Sequence, residues 1–252
     1  MKSFLALAAA AALIFGAVSA PAAEFTPAQK DEIGGVVKDY LIAHPEVLRE
    51  ALDALDKHEK QAAAEAQKKI VADESSLLFS SPHQATVGNP NGGATLVEFF
   101  DYNCHYCKGA LPDIARLIKG DPNLKVVLKD FPVLGPDSVE AARVAIAVRN
   151  QLTGDKFWQF HQKLLGMHGR VGKAEALAVA KDLGVDMDRL NKDMATPEAR
   201  TSIEEVMRMA DALQINGTPS FVVGQEVVIG AVGYDQLKDK IDSVHKCGHA
   251  VC

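Results

Sequence analysis

Residues 95–107 read TLVEFFDYNCHYC. The first six residues form an apolar run typical of a buried strand, and a helical pattern over residues 108–119 follows the second cysteine. Two cysteines separated by two residues at a strand-to-helix junction indicate a redox site. A cysteine at a helix N-terminus ionises easily, because unpaired backbone N–H groups and the helix dipole favour negative charge. We therefore expect Cys104 to be an exposed nucleophile and Cys107 to be the covered thiol that attacks it.

The same spacing also occurs in structural disulfides and in half of a zinc site. Two prolines favour the redox interpretation. Pro112 lies in the helical stretch, where a kinking proline is typical of a thioredoxin-type helix. Pro219 lies in the step GTPS at residues 217–220, just before an apolar run, where a cis peptide bond would fit the start of a strand.

Further strands and helices are expected on both sides of these two motifs. A strand at Leu124–Lys129 would follow the cysteine helix and pair in parallel with the first strand. Helical patterns fill an insertion from about 135 to 215, and a hairpin at 220–229 precedes a closing helix at 234–244. This order predicts an α/β protein with the thioredoxin fold and an all-helical insertion. His161 and His168 within the insertion are expected to be core or surface residues rather than ligands.

The segment EFFDYNCHYC at 98–107, the helical insertion and the GTPS step together resemble the DsbA family of thiol–disulfide oxidoreductases, over about residues 85–245. With the N-terminal region included, the sequence is most similar to the ScsC, or suppressor-of-copper-sensitivity, branch of that family, which is trimeric and implies a link to copper tolerance. We expect the thioredoxin-like catalytic domain to span residues 75–252. We expect neither a cofactor nor a resident metal.

The first 22 residues are predicted to be a cleaved signal peptide. Lys2 precedes an uncharged apolar run at 4–18, and Ala20-Pro21-Ala22 is a small-x-small cleavage site. The run is short for a membrane anchor, which is the other interpretation. A bacterial-style signal predicts a periplasmic protein, and that compartment tolerates disulfides among the four cysteines. The net charge of −6 argues against nucleic acid as a partner.

Residues 24–74 are predicted to form a helical oligomerisation region and linker. Thr26-Pro27 starts one helix, and His44-Pro45 separates it from a second. The apolar stripes of these helices either pack on the catalytic domain or meet the same stripes in other protomers. The stretch 57–70 is polar on all sides, which favours self-association through a helical connector, and the family resemblance makes the assembly a trimer. Residues 77–79 are expected to form a short edge strand.

Five further residues complete the predicted active site. His105, next to Cys104, can carry positive charge and stabilise the thiolate. Glu98 is either a buried proton relay to Cys107, as the resemblance implies, or a carboxylate that points outward at a strand edge. Thr218, Pro219 and Tyr106 are predicted to bind substrate, Thr218 through strand-like backbone hydrogen bonds.

Cys247 and Cys252 lie in the C-terminal tail HKCGHAVC, residues 245–252. In an oxidising compartment they would form a local structural disulfide. The alternative is a copper or zinc site formed by these two thiols with His245 and His249.

These features predict a periplasmic disulfide isomerase or reductase that works as an oligomer through a Cys104–Cys107 redox disulfide. Its partners would be misfolded or disulfide-bearing secreted proteins and a membrane redox partner that resets the site. The alternatives are a monomeric DsbA-like dithiol oxidase and a copper- or zinc-binding protein that uses the four cysteines as ligands.

Overall fold

A computed structural model describes residues 25–252, so the predicted signal peptide at 1–22 lies outside the described residues. Ten helices in this range are α1 (Pro27–Ala43), α2 (Pro45–Asp73), α3 (Ser75–Ser80), α4 (His105–Gly120), α5 (Pro136–Val148), α6 (Asp155–Leu165), α7 (Lys173–Asp182), α8 (Met187–Met194), α9 (Glu198–Ala212) and α10 (Tyr234–Cys247). The five strands in the same range are β1 (Ala85–Gly88), β2 (Ala94–Phe100), β3 (Leu124–Asp130), β4 (Ser220–Val223) and β5 (Glu226–Ile229). Between residues 25 and 252, none of the helices combines the length and the apolar character that a bilayer crossing requires.

The five strands form one sheet in the order β1-β3-β2-β4-β5. β2 and β3 are parallel and are joined through α4, whereas the other three pairs are antiparallel. The helices α5 to α9 lie between β3 and β4 in the chain. This arrangement confirms the predicted thioredoxin fold with an all-helical insertion. It also makes β2 a central strand, so both of its faces and both of its edges are covered.

Two apolar clusters cover the two faces of the sheet. One contains Leu96 and Phe100 of β2 with the buried sides of α4, α5, α6, α7 and α10. The other contains Val97 and Phe99 of β2 with Leu78 of α3 and the buried side of α9. The alternation of side chains along β2 therefore directs Glu98, which lies between Val97 and Phe99, into the first cluster.

The chain divides into two compact units, of which the first ends at His58 and the second is Glu59–Cys252. In the first unit, α1 begins where the sequence predicts, since Thr26 and Gln29 form a capping box and Pro27 is the first helical residue. Nine large apolar side chains of this unit are exposed: Phe25, Ile33, Val36, Val37, Tyr40, Ile42, Leu48, Leu52 and Leu55. In the second unit, the end of α2 packs on the core through Val71, and the Gln67 side chain donates to the carbonyl of Leu213 (3.2 Å).

The expectation of an edge strand at 77–79 is wrong, because these residues lie in the helix α3. Leu78 is fully buried, and two lysines of β3 satisfy carbonyls of this helix. Lys129 Nζ donates to Leu77 O (2.6 Å), and Lys125 Nζ donates to Phe79 O (2.6 Å). The strand at 85–88, where β1 pairs with β3, was not predicted either. Both errors concern short segments whose structure depends on contacts distant in sequence.

Lys129→Met tests the capping of α3. The Lys129 side chain is buried and also donates to Gln84 Oε1 (2.8 Å), so methionine would fill the space but leave Leu77 O and Gln84 Oε1 without this donor. We expect a loss of about 1–3 kcal/mol in the free energy of unfolding, measured with urea. Lys125→Met, which removes a single bond of a half-exposed lysine, should cost less. Equal losses for the two variants would contradict this account.

Candidate active site

Cys104 is the N-cap residue of α4, and Cys107 lies in the first turn of the helix. The backbone N–H of Cys107 donates to the sulfur of Cys104 (3.3 Å), which is the bond that an N-cap side chain accepts from an otherwise unpaired helical N–H group. The N–H of Cys104 itself donates to the carbonyl of Asp101 (3.0 Å). The nucleophile is thus held where the end of β2 turns into the helix.

The loop before β4 faces the same sulfur. The Thr218–Pro219 peptide bond is cis, as the sequence predicted for the start of a strand. Cys104 Sγ lies 3.1 Å from the carbonyl oxygen of Thr218, to which a protonated thiol donates. The structure therefore brings Thr218 and Pro219 to the nucleophile across 114 residues of chain.

The two cysteines differ strongly in acidity. The hydrogen bond from the Cys107 thiol contributes most to lowering the pKa of Cys104 to about 6, against the opposing effect of burial, and a hydrogen bond from the side chain of Thr218 lowers it further. Burial raises the pKa of Cys107 above its ordinary value, and the hydrogen bond with Cys104 adds to that effect. At neutral pH Cys104 is therefore a thiolate and Cys107 a thiol. Such a pair can attack a disulfide with the first sulfur and resolve the product with the second.

The prediction that Cys104 is exposed is wrong, because only 4% of the residue is accessible. Cys107 is fully buried, as predicted. The cover includes the Thr218–Pro219 loop, whose position the local sequence does not reveal. By contrast, His105 is exposed, and 67% of Tyr106 is accessible. The assistance of His105 to the thiolate and the contact of Tyr106 with substrate stay predictions.

Glu98 is fully buried on β2, so the alternative of an outward-pointing carboxylate is excluded. Its neighbours on the two adjacent strands are Leu128 and Phe221, and neither carboxyl oxygen has a hydrogen-bond partner. Desolvation, with a smaller contribution from the negative charge of Cys104, raises the pKa of Glu98 to about 8. A carboxyl group that keeps its proton at neutral pH beside a buried thiol can give that proton to a departing Cys107 thiolate.

A hydrogen-bonded turn joins this site to the helical insertion. Asp101 Oδ1 accepts from the N–H of Asn103 (2.8 Å) and from the hydroxyl of Ser138 (2.8 Å), and Asp101 Oδ2 accepts from the N–H of Leu134 (2.9 Å). The Asn103 side chain donates to the carbonyl of Val171 (2.8 Å) and accepts from the Val171 N–H (2.8 Å). Residues immediately before Cys104 are thus fixed by the first turn of α5 and by the segments that precede α5 and α7.

Three buried groups on the same side of the sheet escaped the sequence analysis as site residues. Asp130 ends β3, Tyr102 follows β2, and the ring of His161 from α6 is within 3.4 Å of the Tyr102 hydroxyl. An acidic residue at the end of a strand, directly after Lys129, was the available signal for Asp130. His161 was predicted to be a core or surface residue, and its ring packs against Phe100 and Trp158.

The C-terminal cysteines lie far from this site and form a disulfide, Cys247–Cys252. His245, two residues earlier, contacts Asp121 (2.8 Å), which caps the opposite end of α4 from Cys104. A 16-residue helix is about 24 Å long, so the four cysteines do not share one metal ion. No cluster of three or more His, Cys, Asp or Glu residues that could hold a metal is found among residues 25–252.

Two family models match the chain. The model described as DSBA-like thioredoxin domain matches residues 95–242, and the model described as copper resistance protein ScsC N-terminal domain matches residues 29–64. A thioredoxin-like oxidoreductase from Silicibacter pomeroyi DSS-3 is 41% identical, with 68% of this chain and 98% of that chain covered and a TM-score of 0.64. A linker-deletion mutant of Proteus mirabilis ScsC is 26% identical, with 89% and 98% covered and a TM-score of 0.67.

Curated relatives include proteins of two kinds. The probable disulfide bond formation protein D of Bacillus anthracis is 23% identical over 181 residues, which are 68% of this chain and 82% of the relative. The Na⁺/H⁺ antiporter NhaA 1 of Salinispora arenicola is 30% identical over 151 residues, which are 59% of this chain. The chain spans only 23% of the length of that antiporter.

Cys107→Ala tests the origin of the thiolate. It removes the largest contribution to the lowered pKa of Cys104, so that pKa should rise from about 6 by about one unit, measured by thiolate absorbance of the reduced protein. Cys107→Ser keeps a hydrogen donor at the same place and should hold the pKa closer to 6. The same shift in both variants would show that the thiol hydrogen bond is not the cause.

Replacing both Cys247 and Cys252 by serine tests the role of the tail. A disulfide that closes so short a loop contributes at most about 2 kcal/mol to stability, and the tail is remote from Cys104. We expect a small loss of thermal stability and an unchanged rate of thiol–disulfide exchange at Cys104. Metal analysis of the unsubstituted protein after mild reduction should find no stoichiometric copper or zinc. Bound metal that disappears in the double variant would support a metal site in the tail.

Proposed function

The chain belongs to the DSBA-like thioredoxin domain family, and from this premise we propose that it catalyses thiol–disulfide exchange in the periplasm as an oligomeric disulfide isomerase or reductase. Its substrates would be misfolded or disulfide-bearing secreted proteins. The observation that carries the proposal is the pair of cysteines itself: a low-pKa Cys104 that caps α4, with the protonated Cys107 held one turn away.

The chemistry follows from that difference in acidity. The Cys104 thiolate attacks one sulfur of a substrate disulfide, forms a mixed disulfide, and expels the other substrate sulfur as a thiolate. In isomerisation, a substrate thiolate later attacks the substrate sulfur of the mixed disulfide, and Cys104 leaves as the thiolate again. In reduction, Cys107 loses its proton and attacks Cys104, which releases the substrate thiol. The resulting Cys104–Cys107 disulfide requires an external reductant, the proposed membrane redox partner.

Substrate would bind beside the sulfur along the Thr218–Pro219 loop. The backbone of Thr218 already lies at hydrogen-bond distance from Cys104, so an extended substrate segment placed against it would bring its own sulfur into line with the nucleophile. The exposed ring of Tyr106 provides an apolar surface at the same edge of the site. Such backbone recognition suits an enzyme that accepts many unfolded sequences.

The N-terminal unit supports the oligomeric part of the proposal. Nine large apolar side chains between residues 25 and 55 are exposed in the single chain, each between 45% and 68% accessible. Clusters of this kind on a soluble protein indicate an interaction surface. Residues 29–64 match the ScsC N-terminal domain, which favours further copies of the same chain as the partner that covers this surface. The family resemblance suggests three copies.

A monomeric dithiol oxidase is the second candidate. The low pKa of Cys104 favours it, because a stabilised thiolate stabilises the reduced form and makes the disulfide a stronger oxidant. An oxidase needs only one active site for each event. An isomerase benefits from several active sites that face one substrate.

Turnover of a scrambled disulfide substrate decides between these functions. The full chain should restore the native disulfides of the substrate. A shortened chain that starts at Glu59 should lose most of that activity and keep its dithiol oxidase activity. The cut is placed there because Gln67 and Val71 contact the core of the second unit. Light scattering should show an oligomer for the full chain and a monomer for the shortened one.

A pair of point variants provides the control. Val36→Glu places a charge on the exposed apolar surface and should reduce both the oligomer mass and the isomerase rate, whereas Lys38→Glu changes charge without removing an apolar group. If Val36→Glu is monomeric and still isomerises at the full rate, oligomerisation is unnecessary. If the full chain oxidises dithiols but never corrects a scrambled substrate, the oxidase is the better assignment.

A further inference from the structure

Two buried carboxyl groups share one face of the sheet below the cysteines. In the parallel pairing of β2 and β3, Glu98 is beside Leu128 and Asp130 is beside Phe100. The two acids are therefore two positions apart on neighbouring strands, and alternation places both on the same face. Asp130 is 5% accessible, and its Oδ1 has no hydrogen-bond partner. The strand end thus holds a second carboxyl group that the exchange chemistry described above does not use.

The surroundings of the two carboxyl groups differ in charge. Glu98 has Leu128 and Phe221 as its strand neighbours, and the negative charge of Cys104 acts on it. Asp130 experiences the positive charge of Arg149, whose buried guanidinium is fixed at the end of α5 by His83 O (2.6 Å) and Glu198 Oε1 (3.2 Å). Negative charge is consequently better tolerated on Asp130 than on Glu98.

Tyr102 lies near both carboxyl groups. Its hydroxyl is buried, and the negative charges of both Asp130 and Glu98 act on it. The other titratable groups that face this cluster are Asp101 in the turn after β2, Arg149 on α5, His161 on α6, and Cys104 with Cys107 on α4. Burial lowers the pKa of His161 to about 3, so its ring is neutral and Arg149 is the positive charge in the set.

We propose that Asp130 is a positioning residue whose carboxylate keeps the proton of this buried cluster on Glu98, where Cys107 can take it. The inference rests on the proposed function. When a substrate thiolate attacks Cys104 of the oxidised protein, a sulfur–sulfur bond forms to the substrate, the Cys104–Cys107 bond breaks, and Cys107 leaves with the electron pair. The proton of the Glu98 carboxyl group moves to Cys107, and Glu98 becomes a carboxylate.

The acidities of the two groups agree with this assignment. Burial raises the pKa of Asp130 to about 7, with Arg149 opposing that rise, whereas the pKa of Glu98 rises to about 8. Near neutral pH, and up to about pH 8, Asp130 is therefore the more ionised of the two, and Glu98 keeps its proton. Glu98 and Asp130 lie two positions apart on one buried face, so we expect Glu98 to ionise at lower pH when the Asp130 charge is removed.

Asp130→Asn tests the proposal in the full chain. The oxidised protein is mixed with dithiothreitol at pH 6 to 9.5, and the reaction is followed by the fluorescence of Trp158, the single tryptophan, which stacks on His161. Each rate is divided by the concentration of reagent thiolate, so the remaining pH dependence belongs to the protein. The unsubstituted protein should lose rate above about pH 8, as Glu98 loses its proton. In Asp130→Asn this loss should begin about one pH unit lower, a roughly fivefold lower rate at pH 8.

Two controls separate charge from structure. Asp113→Asn removes one negative charge from α4 and should leave the pH of the rate loss unchanged. Glu98→Gln cannot supply the proton and should remain at the low alkaline rate at every pH. A rate loss at the same pH in Asp130→Asn and in the unsubstituted protein would overturn the role of Asp130. No exchange by the unsubstituted protein at any pH would instead overturn the proposed function.

Carbon-13 NMR of the side-chain carboxyl groups provides a measurement that needs no folded Asp130 variant. The Glu98 signal is assigned as the one that disappears in Glu98→Gln, and the two buried acids are followed through the same pH range in the unsubstituted protein. Loss of the proton from Asp130 at lower pH than from Glu98 supports the proposal, and the reverse order overturns it.

Discussion

Hydrogen bonds stabilise the negative charge on Cys104. The donors include the Cys107 thiol, the Cys107 N–H and the Thr218 side chain. They come from the first turn of α4 and from a loop 114 residues away. Hydrogen bonds to a thiolate lose strength quickly when the donor moves. The chemistry therefore depends on a fold that holds the strand end, the helix start and the Thr218–Pro219 loop together, and the sheet order does this by pairing β2 directly with β4.

The same sheet order explains why the carboxyl groups near the sulfurs are costly to the fold. A central strand is covered on both faces, so Glu98 lies among apolar neighbours with no donor for either oxygen. Its pKa in the folded chain, about 8, exceeds the ordinary value of 4.5, so the folded state binds the proton more tightly than the unfolded chain does. Folding is consequently favoured less as the pH rises from about 4.5 to 8. A site that keeps a protonated acid ready at neutral pH must accept this loss of stability.

The parts of the structure that short-range pattern determines were predictable from the sequence. The apolar run around Glu98 predicted the strand, and the position of Cys104 before a helical pattern predicted the cap. The helical periods of the insertion completed the prediction of the fold class. The errors arose where distant residues decide the outcome. Residues 77–79 have a strand-like composition but form a helix whose carbonyls are satisfied by Lys125 and Lys129, and Cys104 is covered by a loop remote in sequence. The charge state of Asp130 depends on the positive charge of Arg149, which acts on Asp130 only in the folded chain.

The helical insertion is part of the active site rather than an appendage to it. Asn103 binds both backbone groups of Val171, and Asp101 binds the Ser138 hydroxyl, so the turn before Cys104 is fixed from two places in the insertion. The insertion also supplies the Arg149 charge that favours an ionised Asp130. A thioredoxin sheet without these helices could still place two cysteines at a helix start. It would lack the contacts that fix the residue before the nucleophile and the charge that decides which buried acid keeps the proton.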